Sequence, residues 1–104
     1  MSDIEARLHA LGMSLPPPRA PVANYLQTKR PGALLFVSGL ASTVRGLVGG
    51  EVSADDAIQA AQDTTFDLLA LVKRDIGDLD LVASVEQVRG FVRVQRRISP
   101  ANQP

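Results

Sequence analysis

The sequence predicts an α+β domain: a β-hairpin plus one long helix packed on a mixed sheet. Three observations carry that prediction. Residues 54–76 repeat their apolar positions at helical spacing between two capping residues. Two β-rich segments flank Lys29-Arg30-Pro31-Gly32, a turn signal. Val88, Gly90, Val92 and Val94 alternate with Gln87, Arg89, Phe91 and Arg93, which is strand periodicity. The 104 residues suit one domain.

In chain order, Ser2-Asp3-Ile4-Glu5 has capping-box spacing, with Ser and Glu placed to satisfy each other's free backbone N–H groups. Ile4, Leu8 and Leu11 follow at helical spacing, and Gly12 supplies a left-handed stop, so a short helix is expected over 3–11. Pro16-Pro17-Pro18 favours an extended spacer over helix or sheet. Ala23–Gln27 and Ala33–Gly39 form the expected hairpin, because Pro fixes one turn dihedral and Gly takes the positive one. Its second strand is apolar on both faces, so a place inside a sheet is expected. Residues 40–52, with Gly46, Gly49 and Gly50, read as a loop with at most a brief strand. They lack the Lys-Ser/Thr of a phosphate loop.

Ser53 caps the long helix, and Asp55 and Asp56 sit where the positive end of the helix dipole favours them. Ile58, Ala61, Thr65, Leu68, Leu69 and Val72 form one stripe, the expected core face. Lys73 and Arg74 complement the other end, and Gly77 is placed to close it. Gln59, Asp63 and Asp67 read as a solvated face rather than a metal site, since nothing completes a ligand set. Residues 81–94 read as a long strand, with Gly90 a bulge or close approach. Residues 93–104 read as a disordered tail.

Composition excludes several classes. Without Cys, a disulfide scaffold, a zinc finger and thiol catalysis are ruled out, and a reducing compartment fits. Eleven basic residues against eleven acidic ones argue against a general attraction to nucleic acid or anionic membrane. The longest apolar run, Ala33–Val37, falls far short of the ~20 residues a bilayer demands. Met1–Leu11 does not read as a signal peptide, so a cytoplasmic location is expected.

Few side chains point to chemistry. His9, the single His, has no evident partner and reads as an exposed helix residue rather than a general base. Tyr25 stands alone in the first strand and reads as a half-buried packing residue. Arg89, Arg93, Arg96 and Arg97 form a basic stretch without acids, suited to phosphate or carboxylate groups. Almost no aromatics interleave them, which disfavours a single-strand nucleic-acid site.

An ordered set of segments resembles the YjgF/RidA family, and most closely its branch labelled endoribonuclease L-PSP or YjgF-like. The set is Leu15-Pro16-Pro17-Pro18, Ala23-Asn24-Tyr25, Leu34-Leu35-Phe36-Val37-Ser38-Gly39, Gly50-Glu51-Val52-Ser53, Gly77-Asp78-Leu79-Asp80 and Val88-Arg89-Gly90-Phe91-Val92. The likeness spans residues 1–92; no single motif is specific, but the order is. It implies a chorismate-mutase-like fold and a homotrimer with ligand clefts between subunits. It implies hydrolysis of enamines and imines such as 2-aminoacrylate to 2-keto acids and ammonia, with no metal or organic cofactor. Tyr25 falls on the family's cleft-lining Tyr, and Ser38 and Gly39 on its Ser-Gly after the second strand. Leu40 departs from the Gln that many deaminating members carry there.

The likeness ends where the family continues through a second helix and further strands, which hold its substrate-binding Arg and a late acidic residue. None of Arg89, Arg93, Arg96 or Arg97 matches that Arg by motif, so the catalytic residues are unknown. Permitted codons for residues 93–104, read in another frame, give Ser-Ser-Ala-Pro-Asp-Phe-Thr-Ser-Gln-Pro, which is like the family's continuation. A frameshift near Val92–Arg93 is therefore expected. A chain incomplete at its C-terminus, inactive by itself, follows as the first reading. A non-catalytic ligand-binding or regulatory trimer is the second. An endoribonuclease is the third, disfavoured by the lack of a visible acid–base pair.

Overall fold

A computed structural model describes residues 2–20 and 27–95. The element order is α1 (Asp3–Ala10), β1 (Thr28–Lys29), β2 (Phe36–Val37), α2 (Ala54–Ile76) and a 3-10 turn (Leu79–Leu81). The chain is a small α+β unit, as the pattern predicts.

Both helices start at the predicted Ser caps, but among the described residues the Glu5 half of the capping box does not form, because the Glu5 carboxylate pairs with Lys73. Ser2 accepts the Glu5 N–H at 3.1 Å, and Ser53 accepts the Asp56 N–H at 3.1 Å. The stop of α1 is a Schellman arrangement: Gly12 (φ 77) donates to the His9 carbonyl and Met13 to that of Leu8. A third partner comes from far away in sequence. The Asp80 carboxylate accepts the Asp3 and Ile4 N–H groups at 2.8 and 3.0 Å, so the first free donors of α1 are all satisfied. A Glu5–Lys73 ion pair, closest at 2.9 Å, holds α1 against the end of α2.

The hairpin pairs antiparallel, Thr28 with Val37 and Lys29 with Phe36. Its turn uses the predicted chemistry: Leu34 donates to the Pro31 carbonyl at 3.2 Å, with Gly32 at φ 59. The strands are shorter than expected, and the Ala23–Leu26 part lies outside the described residues. β2 is not interior to a sheet. Among the described residues only β1 pairs with it, leaving Phe36 58% exposed. The expected mixed sheet reduces to these two strands and isolated parallel bridges of Val48 to Val52 and Val94.

The largest correction concerns residues 81–94. They form no strand beyond the bridge at Val94, and every residue from Asp80 to Gln95 is exposed. Phe91 is 92% exposed. Alternation alone does not make a strand; an extended segment needs a neighbour for its N–H and C=O groups. Within the stretch read as a tail, Val48 donates to the Arg93 carbonyl at 3.0 Å and accepts the Gln95 N–H at 2.9 Å. Residues 96–104 lie outside the described residues.

The span of α2 matches the expectation at both ends, with Gly77 (φ 89) donating to the Lys73 carbonyl. Its rotation does not match. The buried residues are Ala60, Ala70 and Leu71, with Leu79 of the 3-10 turn packed beyond them. Ala61 and Thr65 of the predicted stripe are exposed, and Ile58 is 68% exposed. Leu68, Leu69 and Val72 are half-buried. The centre of the covered face thus lies about 150° around the helix from the centre of the apolar stripe, at 100° per residue. Polar ties explain the rotation. Asp67 faces Arg19, Arg74 bonds Gln27, and Asp75 accepts from Thr28, all on the covered side. The two-stranded sheet is too small to cover the stripe as well. A Cα radius of gyration of 16.8 Å agrees with a small core; a compact chain this long has about 13 Å.

Candidate functional site

Among the described residues, Gln27 organises a buried polar cluster at the hairpin. It stands beside β1 and is 5% exposed, which few polar side chains are without full pairing. Its carbonyl accepts the Ser38 N–H at 2.7 Å. Its side-chain Nε2 donates to the Arg19 carbonyl at 2.9 Å, and its Oε1 accepts from Arg74 Nη1 at 2.7 Å. Three segments therefore meet at one amide: the chain after the proline run, the hairpin and the end of α2.

Arg19 adds charge to this cluster. Its Nε lies 3.1 Å from an Asp67 carboxylate oxygen without hydrogen-bond alignment, and its Nη1 donates to the Ala41 carbonyl at 3.0 Å. Asp67 is thus held in an ion pair and does not belong to a solvated face. Gln59 and Asp63 do lie on the exposed side, bonded to each other at 2.9 Å. Among the described residues, three buried side-chain atoms have no hydrogen-bond partner: Arg19 Nε, Arg19 Nη2 and the Ser38 hydroxyl. Leaving a buried polar group unpaired costs about 1–3 kcal/mol. A water or an ion commonly pairs such a group.

The structure places the predicted site residues unevenly. Ser38 follows β2 directly and joins the Gln27 cluster. Gly39 is exposed, with open space where a side chain would stand. Tyr25 lies outside the described residues. His9 is exposed, on the rim of an open depression of about 440 Å³ between α1, the proline run and the end of α2. Glu5, Lys73 and Arg74 line the same depression. Its two cations already have partners in Glu5 and Gln27. Among the described residues, no three His, Asp or Glu side chains are grouped to hold a metal. No described helix is long and apolar enough to cross a membrane.

Arg89 and Arg93 are exposed and do not reach the cluster. Arg93 stands near Glu51, whose carboxyl is held below the ordinary carboxylate range. The chief cause is the Leu47 N–H, bonded at 2.7 Å, followed by its own N–H, with Arg93 a lesser contribution.

Sequence reasoning missed Arg19, Gln27, Asp67 and Arg74 as one group. Each had a local explanation: a residue after prolines, a strand end, a helix face, a dipole complement. The one signal was Gln27, a polar residue ending an apolar strand.

No family model and no solved structure matches the chain. Protein TCP17 of Trypanosoma cruzi is similar at 28% identity over 95 residues. The likeness covers 86% of this chain and 59% of that protein. This chain thus spans about three-fifths of the relative's length.

Proposed function

We propose that the chain is a YjgF/RidA-like domain, of chorismate-mutase-like fold, that receives a small 2-imino or 2-keto acid at the Ser38 end of the hairpin. We further propose that the 104-residue chain does not hydrolyse that ligand by itself. The observation that carries this reading is the set of buried donors without a hydrogen-bond partner among the described residues, Arg19 Nε and Nη2 and Ser38 Oγ, on residues that bond Gln27. The resemblance puts its Ser-Gly at Ser38-Gly39, and Ser38 carries one of these unpaired donors.

The chemistry separates binding from turnover. A carboxylate grip of full strength uses a planar Arg fork with two parallel donors. Arg19 has given one Nη1 proton to the Ala41 carbonyl and its Nε edge lies beside Asp67, so the fork is already partly engaged within the protein. Imine hydrolysis also needs a group that moves a proton to the departing nitrogen. Asp67, the acid beside the cluster, is committed to Arg19. That favours the non-catalytic binding reading over the deaminase reading for this chain. The assembly that the resemblance implies is a homotrimer.

Ammonia release tests the proposal. With 2-aminoacrylate generated in place by a pyridoxal-phosphate lyase, the purified chain is expected to leave the spontaneous rate unchanged. Release that scales with protein and survives repurification would overturn the non-catalytic reading.

A further inference from the structure

The segment after the 3-10 turn is tied down at both ends and nowhere between. At one end Leu79 is buried against the close of α2, and Val82 donates to the Leu79 carbonyl at 3.1 Å. At the other end Val48 bonds the Arg93 carbonyl and the Gln95 N–H. Val52, bridged to Val48, directly precedes the Ser53 cap of α2. Among the described residues, no hydrogen bond holds the backbone of residues 83–92, and no turn or bend interrupts 82–93. The two ties therefore lie at opposite ends of a 23-residue helix, about 34 Å long. Leu81 to Arg93 reach about 37 Å at ~3.1 Å per residue. The segment is a drawn-out strap with little slack, running antiparallel to α2.

Val82, Val85, Val88, Phe91 and Val94 recur at every third residue, and all are exposed. Three residues make one turn of a polyproline-type extended chain, so these side chains share one edge, ~9.3 Å apart. The helix carries an uncovered row of its own. Ile58 and Thr65 are exposed and Val72 is half-buried, ~10.5 Å apart along one side. In the antiparallel run Val85 meets Val72, Val88 meets Thr65 and Phe91 meets Ile58, each at the same height to within about one helical turn. The charges agree with this direction. Arg89 and Arg93 pass along the half of α2 that carries Asp55, Asp56 and Asp63.

We infer that residues 82–94 are a closing strap, which swings onto the Ile58–Thr65–Val72 row so that both apolar rows leave water together. The motion keeps both ties in place. A chain already drawn out has little conformational freedom left to lose, and the two rows supply the attraction. The open form is the resting one, so closure adds little to stability at Ile58. This inference stands apart from the ligand reading at Ser38.

Disulfide trapping tests it, because the chain has no Cys. I58C/F91C, T65C/V88C and V72C/V85C join residues matched in the closed form. V72C/F91C mismatches the height, and D63C/V88C keeps the height on the other side of the helix. I58C/F91C and T65C/V88C replace exposed side chains only, and circular dichroism checks that helix content is kept. Under mild oxidant in dilute protein, the matched pairs are expected to form intrachain disulfides at least tenfold faster than either control. F91A added to T65C/V88C is expected to slow that reaction at least threefold. Matched pairs no faster than the controls, interchain products in their place, or no effect of F91A would each overturn the inference.

Discussion

Replacing Ile58 and Leu71 one at a time separates the two possible faces of α2. Leu71 is fully buried, so Leu71→Ala removes buried methylene groups and leaves a cavity. That costs about 2–5 kcal/mol. Ile58 is 68% exposed, so only about a third of its side chain leaves water. Full burial of Ile is worth about 1.5–3 kcal/mol, which leaves ~0.5–1 kcal/mol for Ile58→Ala. Small domains hold a total stability near the low end of about 5–15 kcal/mol. Leu71→Ala therefore takes a large share, and Leu71→Val, at about 0.8 kcal/mol for one methylene, gives a folded fallback. Urea unfolding followed at 222 nm reads all three, in dilute protein so that association does not contribute. If Ile58→Ala costs as much as Leu71→Ala, the apolar stripe is the core face and the rotation described above is wrong.

Three further outcomes follow from the same contacts. Asp80→Asn keeps the shape but weakens the charged cap on α1, so amide exchange in residues 3–10 should rise at least several-fold while α2 is unaffected. Ser38→Ala removes a buried hydroxyl with no partner; stability should hold or rise by up to about 1 kcal/mol, and the affinity for a 2-keto acid should fall. Glu51 titrates below the ordinary carboxylate range, so its folded pKa lies under its unfolded one. Its contribution is present above the unfolded value and lost as pH falls through the folded value. The Leu47 amide resonance should follow that acid titration, and in Glu51→Gln the titration should disappear.

Much of the local structure was legible because local rules decide it. Ser2 and Ser53 cap their helices, Gly12 and Gly77 end them at positive φ, and Gly32 turns the hairpin. Each outcome depends on neighbours within a few residues. The failures all involve distant partners. Residues 81–94 have the alternation of a strand, but alternation does not specify a neighbour, and among the described residues none lies beside them apart from Val48. The stripe of Ile58, Ala61 and Thr65 predicted the wrong face of α2. Asp67, Arg74 and Asp75, tied to Arg19, Gln27 and Thr28, set the rotation from far away in sequence. Of the residues that the resemblance named, Ser38 lies beside Gln27. Gln27 and Arg19 were hidden because a buried polar cluster announces itself only when its members are seen together.

The most direct test of the central claim is an NMR titration of the ¹⁵N-labelled chain with 2-oxobutanoate. Saturable shifts of the Gln27, Ser38 and Gly39 amides and of the Arg19 and Gln27 side-chain N–H groups are predicted, lost in Ser38→Ala. Absence of saturable shifts there, or shifts confined to Arg89 and Arg93, would contradict the account.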